Sequence, residues 1–350
     1  MNYDTLKNLI SFNTVEDKEN NLIMDYCISF LKEYNFNIKE LVNNNKKAII
    51  ATRGNAKIGF IGHTDVVGIS NDWKTDPFKL SIEDNKLIGR GTCDMKGGIA
   101  AFFETIKELD KSIPLQVILT YDEEIDFGGI KEVIKNESLI AKNIIIGEPT
   151  DNKPVLATKG IMEYKLEMYG ESVHSSLKPK GISAIDEMIK FINELNEMIK
   201  DLQKEKNDIF EVNTLTSNIG LIKGGNAVNI VPDYCEINFD FRTIDRNQNI
   251  VIDRQLNYLK NKYNCKLIKN NDLPPLKENK DFSKEIESLL KEKCIGFTGA
   301  TEASFINDRN IVILGPGPLT LHETNEYITK ESFNKTIEQY KMIIDKYKEN

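Results

Sequence analysis

Histidine is scarce in this sequence, which has only His63, His174 and His322. Any metal site must therefore draw most of its ligands from carboxylates. The five cysteines (Cys27, Cys93, Cys235, Cys265 and Cys294) are odd in number, widely spaced, and contain no Cys-x-x-Cys pair. That pattern excludes a Cys-type zinc site and a disulfide framework, and fits reduced thiols. Cys93 stands beside a candidate ligand, Asp94, but burial as a small hydrophobe is its expected role. Positive charge is also in deficit: 46 Lys and Arg face 54 Asp and Glu, for a net charge of -8. Nucleic acid or an anionic membrane would want a basic face, so neither is an expected partner. No basic start leads into an apolar run, and no apolar stretch is long enough to span a bilayer; the expected location is the cytoplasm. Internal repeats and low-complexity segments are lacking as well.

What is present is an ordinary globular composition, 40% hydrophobic and 29% charged, over 350 residues. That length allows roughly two domains with ample core. The stretch 58–67 organises the reading. Ile58-Gly59-Phe60-Ile61 reads as a buried strand, and it ends in Gly62-His63-Thr64-Asp65. Sites in open α/β sheets form where strands end. There His63 can bind a metal through one ring nitrogen while Asp65 accepts the proton of the other.

The same grammar returns along the chain. An apolar strand at 114–120 precedes Tyr121-Asp122-Glu123-Glu124, one at 143–146 precedes Gly147-Glu148-Pro149-Thr150, and one at 311–314 precedes the loop holding His322. Read as neighbours on an extended strand, Glu123 and Glu124 point opposite ways, so one can ligate metal while the other faces substrate as a general base. The run Gly89-Arg90-Gly91-Thr92-Cys93-Asp94-Met95-Lys96-Gly97-Gly98 begins like a dinucleotide-binding Gly-x-Gly-x-x-Gly, but Asp94 replaces the third glycine. An acid there would repel a pyrophosphate, and a metal-binding loop is the better reading. Two histidines, several carboxylates and no thiolate suit zinc, with cobalt or manganese as substitutes, in a carboxylate-bridged pair about 3.5–4 Å apart.

From about residue 161 the pattern changes. Met162, Tyr164, Leu166 and Met168 alternate on one strand face, as do Cys235, Ile237, Phe239 and Phe241. With helices at 182–205 and 247–263 and strands at 213–223 and 266–269, the order is βαββαβ, a split-βαβ sandwich. Residues 271–275, Asn-Asp-Leu-Pro-Pro, read as a stiff return hinge. The expected division is a catalytic α/β domain of 1–160 and 273–350 with a mixed, mostly parallel sheet, and an inserted domain of 161–272.

Taken together, Gly62-His63-Thr64-Asp65, Gly91-Thr92-Cys93-Asp94-Met95-Lys96-Gly97-Gly98, Asp122-Glu123-Glu124, Gly147-Glu148-Pro149-Thr150, His174-Ser175-Ser176, the run 224–233 and His322 resemble the motif series of the acetylornithine deacetylase and succinyl-diaminopimelate desuccinylase family of dinuclear zinc amidohydrolases. The resemblance covers residues 5–345 and implies a zinc-exopeptidase-like catalytic domain with a ferredoxin-like lid and dimerisation domain. It implies that Asp94 bridges two Zn2+ ions, that His63 and Glu148 complete one, and that Glu124 and His322 complete the other. Glu123 would be the general base and Asp65 the partner of His63. His174 reads from sequence alone as a surface histidine; the resemblance implies that it reaches the active site across a homodimer and stabilises the oxyanion. Asn229 and Arg242 match lid positions that hold substrate, Arg242 either clamping an α-carboxylate or making an ordinary surface ion pair.

Thr301-Glu302-Ala303 and Leu314-Gly315-Pro316-Gly317 resemble the acetylornithine deacetylase branch, with Glu302 expected near the substrate and favouring a cationic side chain. The implied activity is hydrolysis of N2-acetyl-L-ornithine to L-ornithine and acetate, a step of arginine biosynthesis. The same machinery would serve N-succinyl-diaminopimelate or a dipeptide. A metal-dependent binding protein without turnover is the alternative class, and Glu123 discriminates, since a binding site needs ligands but no free base beside them.

Overall fold

Apolar strands alternating with amphipathic helices can bury both faces of a sheet, and the first 150 residues do this. The computed structural model describes residues 3–15, 18–136, 138–306 and 308–349. The chain separates into two units, one of Met1–Leu156, Glu278–Ile295 and Thr301–Asn350, the other of Ala157–Lys277 and Gly296–Ala300. Among the described residues no helix is long and apolar enough to cross a membrane.

In chain order the first stretch forms α1 (Asp4–Ser11), α2 (Asn21–Glu33), β1 (Asn37–Asn43), β2 (Lys46–Arg53), β3 (Ile58–His63), β4 (Ser81–Glu83), β5 (Lys86–Ile88), α3 (Lys96–Glu108), β6 (Leu115–Thr120), α4 (Gly128–Lys135), β7 (Asn143–Ile146) and β8 (Val155–Thr158). Then come β9 (Gly160–Tyr169), α5 (Ala184–Leu202), β10 (Thr216–Gly224), β11 (Tyr234–Thr243), α6 (Arg246–Lys262) and β12 (Lys266–Leu273). The chain finishes with α7 (Lys280–Leu290), β13 (Ile295–Phe297), β14 (Asn310–Ile313), β15 (Tyr327–Thr329) and α8 (Lys330–Tyr347).

The main sheet has the order β1-β2-β6-β3-β7-β14-β8-β13. Its central strands β6, β3, β7 and β14 are parallel to one another, while β2 and β8 join them antiparallel. The expected mixed, mostly parallel sheet is thus present. Because these four strands run the same way, their carboxyl ends at His63, Thr120, Ile146 and Ile313 share one edge. Strands β3, β6 and β7 are buried along their whole length, as strands covered on both faces must be. Phe60 of β3 stacks on Phe102 of α3 at 4.1 Å between centroids, and Tyr340 of α8 meets both rings edge-on at 5.8 Å. The Tyr340 hydroxyl donates to the Leu314 carbonyl at 2.6 Å, which anchors the start of the His322 loop.

Glycine has a steric task where α3 begins. A Cβ at Gly98 would lie 2.0 Å from the Gly147 carbonyl oxygen, and one at Gly97 would lie 2.0 Å from that of Thr92. Gly98 therefore lets the first turn of α3 press against the residue that follows β7, and Gly97 lets it close onto Thr92 of the loop before it. The five cysteines are buried and unpaired, Cys93 donating its thiol to the Pro318 carbonyl at 3.4 Å.

The second unit holds an antiparallel sheet of order β10-β11-β9-β12. With α5 and α6 this is the expected βαββαβ arrangement. The alternating faces pack inward as read: Met162, Tyr164, Leu166 and Met168, with Cys235, Ile237, Phe239 and Phe241, meet Met188, Phe191 and Leu195 of α5 and Ile252 and Leu256 of α6. One reading is corrected. Residues 271–273 do not form a hinge, because they pair with Glu163, Met162 and Ile161 and continue β12 to Leu273. Strands β4, β5, β8, β13 and β15, of three or four residues each, were not anticipated from the sequence, being too short to show a period.

Replacing a helical glycine by alanine ordinarily gains about 0.4–1 kcal/mol by restricting the unfolded chain. Gly98→Ala is expected to reverse that sign and to lose about 3 kcal/mol, near the upper end for overpacking. Urea unfolding measures it, and an unchanged or raised midpoint would refute the close approach.

Candidate metal centre

The shared edge of the four parallel strands gathers chemistry from five loops. His63 is the last residue of β3, and its Nδ1 lies 3.1 Å from the backbone oxygen of Asp65 and 3.5 Å from its Oδ1. Asp65 Oδ2 in turn accepts the Glu124 backbone N–H at 3.1 Å, so Asp65 meets the imidazole through its backbone oxygen and holds the turn after β6 through its carboxylate. The other ring nitrogen, Nε2, lies 3.1 Å from Asp94 Oδ1 and 3.6 Å from Glu148 Oε1. Asp94 Oδ2 faces the opposite way, 3.3 Å from Nε2 of His322, which is itself 3.2 Å from Glu124 Oε2. Two donor triads result, His63, Asp94 and Glu148, and Asp94, Glu124 and His322; within each the donor atoms lie within 4.8 Å of one another. They share Asp94.

Glu123 and Glu124 reach this group by a route other than the one expected. They lie in a turn rather than on an extended strand. β6 stops at Thr120, Asp122 takes a φ of 55°, and its carbonyl accepts the N–H groups of Ile125, Asp126 and Phe127. Even so, donor atoms of His63, Glu123 and Glu124 lie within 4.8 Å of one another, and Glu123 forms a further close group with Glu148 and Glu302.

The profile of peptidase family M20/M25/M40 matches residues 59–346. The chain belongs to this family. It is 33% identical to an acetylornithine deacetylase of Buchnera aphidicola subsp. Schizaphis graminum, over 94% of each protein. With an acetylornithine deacetylase of Pasteurella multocida it shares 30% identity over 95% of this chain and 92% of the relative. Among solved structures, the aminopeptidase PepT from Bacillus cereus ATCC 10987 superposes with a TM-score of 0.79 at 22% identity, covering 99% of both chains. The resemblance read from the motifs is borne out, and with it the chain is a metal-dependent hydrolase rather than a binding protein.

The electrostatics of this M20 site test whether its side chains fit metal ions. Burial pushes the carboxyls of Glu123 and Glu148 well above the usual range, and raises those of Glu124 and Glu302 as well. For Asp94 burial acts in the same direction, but hydrogen bonds from His322 and His63 outweigh it and hold the carboxyl below its ordinary value. Hydrogen bonds to Asp94 and Glu124 raise His322 to about 10. His63 is also raised, its burial overcome by Asp65 and Asp94. Asp94, Glu123, Glu124, Glu148 and Glu302 thus crowd two imidazoles, an excess of buried negative charge that divalent cations would offset. Carboxylate and imidazole donors without thiolate fit zinc, cobalt or manganese.

Glu302 joins the group from beneath. It is 1% exposed, and Oε1 accepts the Thr120 hydroxyl at 3.0 Å while Oε2 has no hydrogen-bond partner among the described residues. His174, Asn229 and Arg242 belong to the second unit. There the exposed His174 accepts the Ser176 backbone N–H on Nδ1 at 3.3 Å, so the neutral ring carries its proton on Nε2. Asn229 is exposed, and its carbonyl accepts the Ser175 N–H at 2.9 Å beside His174. Arg242 donates from Nε to Asp240 at 3.1 Å, the ion-pair alternative of the two read from sequence. One residue was passed over: Glu326, a fully buried carboxylate four positions after His322. Its signal was a second acid near that histidine, and nothing in the local pattern set it apart from a solvated loop charge.

Sharing Asp94 has a measurable signature. Glu148→Ala is expected to strip one divalent ion per chain and Asp94→Ala to weaken both, as read by elemental analysis after dialysis. Equal losses from the two variants would show that the clusters do not share Asp94.

Proposed function

We propose that this chain hydrolyses the N-acyl amide of a small amino acid, with N2-acetyl-L-ornithine the favoured substrate and L-ornithine and acetate the products. The observation that carries the chemistry is Asp94 dividing its two oxygens between His63 and His322 with Glu123 alongside. The substrate is supported by relatives that are named acetylornithine deacetylase.

In this reading His63, Glu148 and Asp94 hold one Zn2+ and Asp94, Glu124 and His322 the other. When bound, the ions would polarise the acyl carbonyl and acidify water at the site. Asp65 keeps the His63 proton on Nδ1, leaving Nε2 as the donor atom. Glu123 takes a proton from the attacking water and returns it to the leaving amine nitrogen, so its carboxylate ends the cycle as it began. Desolvation raises its carboxyl well above the usual range, which suits a group that has to hold a proton. Nε2–H of His174 donates to the oxyanion of the tetrahedral intermediate, supplied from a second copy in a homodimer as the family resemblance implies. Asn229 and Arg242 hold the substrate, Arg242 exchanging Asp240 for the α-carboxylate. Glu302 favours a cationic side chain through its charge, its Oε2 having no hydrogen-bond partner among the described residues.

Zinc-loaded enzyme assayed on N2-acetyl-L-ornithine, N-succinyl-diaminopimelate and several dipeptides tests the substrate. Preference for acetylornithine is the expected result, and preference for either of the others would reassign it. Glu123→Gln should lower kcat by about two to four orders of magnitude while both metals stay bound; a variant that retained activity would remove Glu123 from the mechanism.

His174→Ala is expected to lower kcat by about two to three orders of magnitude with KM little changed. His174→Gln, which keeps a donor, should recover part of the loss, and wild-type kcat in both variants would rule the role out.

A further inference from the structure

The loop after β14 carries two chemistry-bearing residues, His322 and Glu326. Glu326 lies wholly inside the protein. Its Oε1 accepts the backbone N–H groups of Cys93 at 2.6 Å and Asp94 at 2.9 Å, and its Oε2 accepts that of Gly91 at 3.0 Å and Nη1 of Arg90 at 2.8 Å. Backbone contacts reinforce the union, since the Glu326 carbonyl accepts the Gly89 N–H at 3.0 Å and the Thr92 hydroxyl at 3.3 Å. The 89–94 loop is therefore a cradle of N–H groups closed on one carboxylate, the arrangement by which backbone binds an anion. Its tight path depends on Gly91, whose φ is +87° and where a Cβ would meet Val66 Cγ1 at 2.9 Å. Arg90 is held in its turn, donating from Nη2 to the Gly68 carbonyl at 3.0 Å and lying over the Trp73 ring at 5.3 Å.

These contacts end at the N–H of Asp94, the residue that serves both triads. We infer that Glu326 is a positioning residue for the metal centre: through the 91–94 backbone it sets the direction of the Asp94 carboxylate, and it ties the loop bearing His322 to the loop bearing Asp94. Both oxygens of Glu326 are occupied by N–H donors, so it acts through Asp94 and is not a ligand. The inference rests on the reading of Asp94 as the shared ligand. Its consequence is that bonds made wholly within the protein tune how tightly both ions are held, as outer partners of metal ligands do.

A clamp with a purely structural role would lower the melting temperature and leave the metal affinity of the folded protein unchanged. Zn2+ dissociation constants, measured by competition with a chromophoric chelator at a temperature where circular dichroism shows the fold intact, separate the two. Glu326→Gln keeps the size of the side chain but turns an amide NH2 toward donors. It is expected to weaken binding of both ions by about 10–100-fold. Arg90→Lys keeps the charge beside Oε2 but not the two-armed grip, and should weaken binding by a smaller factor in the same direction. Folded Glu326→Gln protein with affinity within twofold of wild type would overturn the inference. If Glu326→Gln fails to fold, Arg90→Lys with wild-type affinity would overturn it equally. Asp94→Asn, measured alongside, keeps the two readings apart. Loss of both ions in Asp94→Asn with none in Glu326→Gln leaves the shared ligand standing and removes the positioning role. Wild-type protein that bound fewer than two ions would sink both.

Discussion

A carboxylate shared by two donor triads has to be aimed on both sides at once, and the geometry around Asp94 follows from that constraint. A side chain free to rotate would satisfy one histidine at the expense of the other. Here Oδ1 meets His63 and Oδ2 meets His322, and the two histidines come from opposite ends of the chain. The parallel strands β3, β6, β7 and β14 bring those ends to one edge. The first turn of α3, pressed against Gly147 through Gly98, leaves little room for the segment bearing Asp94 to shift. Close packing of this kind transmits position well, because a buried backbone with no Cβ to spare cannot yield by a fraction of an ångström without a clash.

The fold and the ligand set were legible in the sequence for one physical reason. A buried parallel strand needs an unbroken apolar run, so a charged group placed immediately after it stands out. His63, Glu123, Glu124 and Glu148 all follow such runs and so stand out as candidates, whereas Asp94 lies in a glycine-rich loop and the division of roles among them comes from the family's motifs. The βαββαβ unit was legible by the complementary signal, strict alternation in β9 and β11. What escaped was whatever depended on backbone conformation. The turn at Asp122, with its positive φ, cannot be told from a strand end by residue type, so Glu123 and Glu124 were read as neighbours on opposite faces. The continuation of β12 through residues 271–273 was hidden by Asn and Asp, which look like turn residues until their cross-strand partners are known. Glu326 escaped for the same reason, since its partners are N–H groups and these have no letter in a sequence.

Burial decides how the carboxylates divide their labour. All are crowded, yet Asp94 is held below the ordinary range by two imidazoles while Glu123 is raised well above it, and its carboxylate takes no hydrogen bond among the described residues. A carboxylate that accepts bonds from both sides is a poor base and a good ligand. One that is desolvated and unpartnered is the reverse. Protons and metals therefore need not compete for the same oxygen, even though the two carboxylates belong to one cluster.

That division also bears on why the centre suits hydrolysis rather than storage of metal. A site built only to bind would do best with every carboxylate directed at an ion, because each one left over is a buried charge without a partner. The Oε2 of Glu302 is such a leftover, buried and without a hydrogen bond among the described residues, and the half-buried Glu123 lies close beside it. Keeping them lowers stability, and in the proposed reaction the proton that Glu123 receives during turnover is what offsets the loss. Asp65 makes the complementary point from the other side of His63. Its backbone oxygen, 3.1 Å from Nδ1, favours the tautomer with the proton on that nitrogen and Nε2 free, and its carboxylate, through its bond to the Glu124 N–H, holds the turn that carries Glu123. One residue thus bears on both His63 and the turn holding Glu123, and neither can drift without the other.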